Sequence, residues 1–168
     1  MTPRILVAFY SRTGNTRRVA RLLADALGDA DLEELMDPTP RMGVRGYLRS
    51  GYQAFFKRRT PLAPLRHDPA RYDLVILCTP VWNASVSAPA RAFLAAHARR
   101  IHRIAFLACF GGFGLERVLR QLTEANGTRP LATTAVRESD LASGQAEAIV
   151  TRFAAELRTR LEAPQHTV

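Results

Sequence analysis

The chain has 168 residues, of which 47% are hydrophobic, and its 24 Lys and Arg against 15 Asp and Glu give a net charge of +9. This length suits one domain with a substantial core, and two cysteines are too few for a disulfide framework. The positive charge admits nucleic acid, an anionic membrane or an acidic protein as a partner. Lys57 is the only lysine, however, and the excess of Arg and Ala is equally typical of GC-rich coding DNA.

Five apolar runs suit buried parallel strands, and helical patterns lie between them. The strands are predicted over residues 5–10, 32–36, 74–78, 104–109 and 131–136. Helices are predicted to end at Gly28, to follow Pro89, to end at Asn126-Gly127 and to span 146–157. Because strands and helices alternate, we expect an α/β fold with a three-layer, doubly wound, five-stranded parallel sheet. No linker divides the chain, so we predict one domain over residues 1–163 and a short C-terminal tail over 164–168.

The sequence contains no pattern for secretion or for a membrane span. Residues 1–4 lead directly into a strand pattern, and no apolar run approaches the roughly 20 residues that a bilayer requires. Cys78 and Cys109 lie in or at the end of apolar strand patterns, where free cysteines are usually buried and inert. We therefore expect a cytoplasmic protein with both thiols reduced.

The connection from the first strand to the first helix is the most informative segment. Its turn consists of Ser11, Arg12, Thr13, Gly14, Asn15 and Thr16. The backbone N–H groups and hydroxyls of such a turn, together with the positive end of the helix dipole, can bind one phosphate. The turn lacks both the G-x-G-x-x-G spacing of dinucleotide sites and the Gly-Lys-Ser/Thr ending of nucleoside triphosphate loops. It therefore favours a mononucleotide, and the alternative is an ordinary connection with good helix caps.

This strand, turn and helix resemble the phosphate loop of the flavodoxins. The positions that match the family's pattern are Phe9, Ser11, Gly14, Thr16, Ala20 and Leu23. Ala8 departs from it, because the family usually has a larger side chain there. The resemblance implies a short-chain, flavodoxin-like fold with strand order 2-1-3-4-5. It also implies FMN as the cofactor, with its phosphate bound by residues 11–16.

Two later loops resemble the loops that contact the flavin ring in the same family. The first consists of Thr79, Pro80, Val81, Trp82 and Asn83. The resemblance places Trp82 near the ring, whereas the alternative is that Trp82 packs in a core or an interface. The second consists of Cys109, Phe110, Gly111, Gly112 and Phe113. The resemblance implies that this loop contacts the pyrimidine edge of the flavin. The loop contains no acidic residue and no Tyr. The sequence therefore leaves open whether Phe110 or Phe113 stacks on the flavin.

Residues 38–72 add length between the second and third strands. Their aromatic and aliphatic residues recur at helical spacing among arginines, which predicts a basic amphipathic helix. We favour a helix that covers the sheet. The alternative is a helix that overhangs the flavin and binds the phosphates of a nicotinamide nucleotide. Binding to nucleic acid or to a membrane surface is disfavoured, because the aromatic residues occupy one helical face.

These observations together predict an FMN-binding redox protein. The four histidines do not have the spacing of metal ligands, and we identify no catalytic side chain and no metal site. Our first hypothesis is an electron carrier that serves a redox partner protein, for example an acidic one. The alternative is an FMN-dependent NAD(P)H oxidoreductase that reduces a small quinone-like acceptor. Neither hypothesis involves nucleic acid or insertion into a membrane.

Overall fold

A computed structural model describes residues 2–36 and 62–163 of the chain. Its strands are β1 (Ile5–Phe9), β2 (Ala30–Glu34), β3 (Leu74–Trp82), β4 (Ser85–Val86), β5 (Ile104–Phe110) and β6 (Thr133–Arg137). Its α-helices are α1 (Asn15–Leu27), α2 (Ala88–His97), α3 (Leu115–Asn126), α4 (Glu138–Ser143) and α5 (Gln145–Glu162). Short 3₁₀ turns span Pro69–Arg71 and Ala98–Arg100. No described helix is long and apolar enough to cross a membrane.

The long strands form one parallel sheet in the order β2-β1-β3-β5-β6. This arrangement confirms the predicted flavodoxin-like α/β fold and its order 2-1-3-4-5, once the short β4 is left out of the count. Every residue of β1 and of β5 is buried, because a parallel sheet has helices on both faces. β4 is a two-residue strand that pairs antiparallel with the end of β3.

Alternate residues of each strand enter two separate cores, one on each face of the sheet. Val7 lies in the core under α1 and α5, together with Val19 and Phe153. Leu6 lies in the other core, where Phe93 of α2 is fully buried. Among the described residues, the sheet is therefore covered on both faces, and the exposed strand residues lie in the two edge strands β2 and β6.

The structure differs from the predicted elements in three places. β2 begins at Ala30 and ends at Glu34, two residues before the predicted end, and β3 continues to Trp82 because it pairs with β4. The final helix is preceded by the separate α4, since Gly144 adopts a left-handed φ of +81° between the two helices. Most of the predicted basic helix lies outside the described residues, which resume at residue 62 without helix or strand.

A buried carboxylate attaches the chain at residues 66 and 67 to the edge strand β2. Glu33 is only 2% exposed. It accepts hydrogen bonds from the backbone N–H groups of Arg66 (3.1 Å) and His67 (2.9 Å), and its Oε2 lies 2.8 Å from His67 Nδ1. These bonds satisfy a group whose burial would otherwise be costly, and they fix the start of the connection that leads to β3.

Candidate functional site

The carboxyl ends of β1, β3, β5 and β6 meet at one edge of the sheet, because the four strands are parallel. The loops that follow them are therefore neighbours. The connection from β1 leads to β2 on one side, and the connection from β2 leads back across β1 to β3 on its other side. Ligands of open α/β sheets bind at such a switch point, outside the carboxyl ends of the strands.

The loop after β1 forms an open cup at the start of α1. Gly14 adopts a left-handed φ of +99° and donates its backbone N–H to Ser11 Oγ at 3.1 Å. No side chain caps α1, and a Cβ built on Gly14 would meet nothing within 4 Å. Uncapped N–H groups and the helix dipole favour an anion at this position. Thr13 is exposed, whereas Ser11, Arg12, Gly14 and Asn15 are half-buried.

Thr16, the last residue of the loop, is almost completely buried. It is 2% exposed, and its side chain forms a hydrogen bond with Cys109 of β5. Burial raises the pKa of the Cys109 thiol to about 12, and the bond from Thr16 opposes this shift only in part. Burial likewise raises the pKa of Cys78, so both cysteines are buried, protonated thiols.

The loop after β3 presents one aromatic ring. Trp82 is partly exposed and rests on Tyr10 in an edge-on contact, with ring centroids 5.5 Å apart and an interplanar angle of 86°. Pro80 and Val81 are also partly exposed, but Thr79 is fully buried, and its Oγ1 lies 2.9 Å from Ser87 Oγ.

The hairpin between β3 and β4 turns through two left-handed residues, Asn83 (φ +46°) and Ala84 (φ +54°). Asn tolerates this conformation, but for Ala it is strained. This strained turn directly follows Trp82, at the ligand edge of the sheet. Backbone strain of this kind is concentrated at functional sites.

The loop after β5 distinguishes its two phenylalanines. Phe110 is 7% exposed, and the Arg137 guanidinium carbon lies 5.4 Å from its ring centre. Phe113 is 76% exposed, so Phe113 is the ring accessible to a ligand. Gly111 and Gly112 precede it, and a Cβ built on Gly112 would meet nothing within 4 Å. The loop thus leaves backbone groups open to a planar molecule.

The junction of β6 and α4, where Glu138 is the first residue of α4, was not among the predicted site residues. Glu138 Oε1 accepts a hydrogen bond from Asn15 Nδ2 at 3.3 Å. Glu138 Oε2 lies 3.4 Å from the position that a Cβ on Gly111 would occupy. The structure therefore places a carboxylate beside the two loops whose sequences contain none. The signal in the sequence was the position of Arg137-Glu138 at the carboxyl end of the last predicted strand.

The local charges are partly paired. Arg17 in the first turn of α1 forms an ion pair with Glu34 at 2.5 Å, and this pair is half exposed. Within residues 2–36 and 62–163, no group of three His, Cys, Asp or Glu side chains is placed to hold a metal ion. The edge therefore combines an uncapped helix end for a phosphate with aromatic and glycine-rich loops for a planar ring. These features fit FMN.

Solved flavoproteins share this fold. The flavoprotein of Lactobacillus acidophilus NCFM in complex with FMN has 18% identity and a TM-score of 0.70, over 84% of this chain and 97% of that chain. The two-electron reduced flavodoxin of Megasphaera elsdenii has 16% identity and a TM-score of 0.57, over 90% of this chain and 98% of that chain. The WrbA-like flavodoxin of Agrobacterium tumefaciens has 14% identity and a TM-score of 0.55, over 94% of this chain and 99% of that chain. At these identities the likeness establishes the fold.

Comparison of sequences identifies the family. No curated protein matches the chain. The profile of a family described as NADPH-dependent FMN reductase matches residues 3–148, which include every loop of the candidate site. The chain therefore belongs to the NADPH-dependent FMN reductase family and is an FMN-binding flavoprotein of the flavodoxin-like fold.

Proposed function

We propose that this protein is an FMN-dependent NAD(P)H oxidoreductase that reduces a small quinone-like acceptor. The observation that carries the proposal is the second ring loop, where Phe113 is 76% exposed and the loop itself contains no Tyr. A nicotinamide ring must contact the flavin directly to transfer a hydride, so an accessible ring face suits this reaction. The family match supports the same reading.

We assign the phosphate to the backbone N–H groups of residues 11–16 and to the hydroxyls of Ser11 and Thr13. We assign the flavin ring to Trp82 and the backbone of residues 79–83 on one side, and to residues 109–113 on the other. The bound FMN would supply the redox chemistry. The residues of these loops would orient the flavin. Phe113 would stack on a planar ring bound beside its loop.

An electron carrier is the second candidate, and the net charge of +9 favours it if the partner is acidic. The same flavin site would serve both functions, because fold alone does not decide function. A carrier would exchange electrons with another protein and would not oxidise NAD(P)H by itself. The two candidates therefore differ in a single measurable reaction.

Steady-state oxidation of NADPH and NADH tests the proposal. The FMN-loaded protein is mixed with each nucleotide and a soluble quinone, and absorbance at the nicotinamide band is followed under anaerobic conditions. We expect turnover that requires the protein, the flavin and the quinone together. A protein that binds FMN but oxidises neither nucleotide, and yet accepts electrons from a separate reductase, would instead be a carrier.

Titration of the apoprotein with FMN tests the assignment of the ring loops. Trp82 is the only Trp in the chain, so tryptophan emission reports this loop alone. We expect the emission to be quenched as FMN binds, and the Trp82→Phe variant to bind FMN without that signal. Unchanged emission at FMN saturation would exclude Trp82 from the vicinity of the flavin.

A further inference from the structure

We propose that Glu138 sets how strongly this protein distinguishes FMN from riboflavin, because its carboxylate competes with the FMN phosphate for the cup at the start of α1. This inference rests on the proposed function, since it assumes that the cup binds the flavin phosphate. It concerns a residue outside the two predicted ring loops and outside the predicted phosphate loop.

The position of Glu138 connects two loops of the site. One carboxylate oxygen accepts the amide of Asn15 at 3.3 Å, and Asn15 is the first residue of α1. The other oxygen faces Gly111 of the second ring loop at 3.4 Å from the position of an added Cβ. A Cβ on Gly111 would be in ordinary van der Waals contact with this carboxylate. Glu138 therefore lies directly beside the second ring loop as well as beside the cup.

The corner that carries Glu138 is held in place. The backbone N–H of Arg137 donates to Asp140 Oδ2 at 2.8 Å, and the Arg137 guanidinium packs over the ring of Phe110. Glu138 itself remains exposed. Its carboxylate is therefore positioned by its neighbours but is not buried, and replacing it does not open a cavity in the core.

The electrostatic consequence follows from the charges around the cup. Arg17 is already paired with Glu34, so its charge is largely compensated. A phosphate dianion bound at residues 11–16 would lie close to the Glu138 carboxylate, and like charges repel. The phosphate would also compete with Glu138 for the Asn15 amide. Both effects weaken the binding of FMN, and neither acts on riboflavin, which has no phosphate.

The test compares Glu138→Gln with the unaltered protein. Gln has nearly the same shape, and its amide oxygen still accepts the Asn15 hydrogen bond, so the substitution removes only the charge. Glu162→Gln is the matched control, because Glu162 lines a cavity with Pro3 and Arg4, which precede β1 at the opposite end of the strand, and its loss changes the net charge equally. Each apoprotein is titrated with FMN and with riboflavin, and flavin fluorescence is measured at low and high salt.

We expect Glu138→Gln to bind FMN roughly tenfold more tightly and riboflavin with unchanged affinity. The gain for FMN should shrink at high salt, because screening weakens the repulsion. Glu162→Gln should bind both flavins as the unaltered protein does. Weaker or unchanged FMN binding by Glu138→Gln, or an equal gain for both flavins, would overturn the role of Glu138. If the unaltered apoprotein binds neither flavin, the proposed function itself fails.

Discussion

Two threonines of the phosphate loop have different surroundings although only three positions separate them. Thr13 is exposed at the rim of the cup, whereas Thr16 is 2% exposed and bonded to the Cys109 thiol. A hydroxyl at the rim can donate to a phosphate, and a buried hydroxyl that already has a partner stabilises the fold instead. The backbone N–H of Thr16 still belongs to the first turn of α1.

This division predicts different effects for two similar substitutions. Thr13→Val should weaken FMN binding by about tenfold and leave riboflavin binding unchanged, because a hydrogen bond to a charged group contributes roughly 1.5–3 kcal/mol. Thr16→Val should leave the preference for FMN over riboflavin intact and lower the free energy of unfolding by about 1 kcal/mol. Flavin titrations and urea denaturation of both variants measure these effects. The reverse pattern would show that Thr16, not Thr13, contacts the phosphate.

The thiol of Cys109 gives a second prediction at this scale. With its pKa raised to about 12, the Cys109 thiol stays protonated at pH 8. Iodoacetamide should therefore modify neither Cys109 nor the buried Cys78 in the native protein over hours, and should modify both within minutes in denaturant. Mass spectrometry at successive times measures the extent. Rapid alkylation of Cys109 in the native protein would contradict the burial that raises its pKa.

At the scale of elements, the two ring loops pack against each other. Gly114 precedes α3 with a left-handed φ of +88°, and a Cβ on it would collide with the Cβ of Ala84 in the β3–β4 turn. The absence of a side chain at this position lets the second ring loop approach the strained hairpin beside Trp82. The spacing of the loops, and hence the width of the flavin site, depends on this contact.

Gly114→Ala should lower stability and weaken flavin binding, and Gly127→Ala provides the matched control. Gly127 has a similar left-handed φ of +77°, but a Cβ there would meet nothing within 4 Å. Both variants lose about 1 kcal/mol for the left-handed backbone. Only Gly114→Ala adds the collision, so its free energy of unfolding should fall further and its affinity for FMN and riboflavin should fall together. Urea denaturation and flavin titration compare the two, and equal effects would mean that the loops do not depend on their contact.

At the scale of the whole molecule, the chain has a net charge of +9, and its cofactor gains negative charge when it is reduced. A positive field stabilises that added charge, although the nearby Glu138 opposes it. The two effects together should favour reduction of the flavin, because the positive charge of the whole chain exceeds the negative charge of one local carboxylate. This field suits a flavin that accepts both electrons of a hydride.

The midpoint potential of the bound flavin should therefore fall as salt screens the field. For a two-electron couple, 1.4 kcal/mol corresponds to about 30 mV, so we expect a decrease on the order of 30 mV between low and high ionic strength. Anaerobic spectroelectrochemistry at two salt concentrations measures it, with free FMN as the control. A potential that does not change with salt, or that rises, would show that local contacts outweigh the overall charge.

The sequence by itself determined the fold and the family of ligand. Apolar runs separated by amphipathic patterns specify a parallel sheet, and the turn at residues 11–16 predicts an anion site, because both depend on residues that are adjacent in the chain. The start of β1 and of α1 follows directly from this local pattern.

Only the tertiary structure decided which residues of each loop are exposed to a ligand and which are buried or paired. It separated exposed Phe113 from covered Phe110, and it bonded Thr16 to Cys109 across two elements. It also brought Glu138 to Asn15, 123 positions earlier in the chain. Such contacts join residues far apart in sequence, and neither periodicity nor local propensity encodes which side chains meet at the edge of a folded sheet.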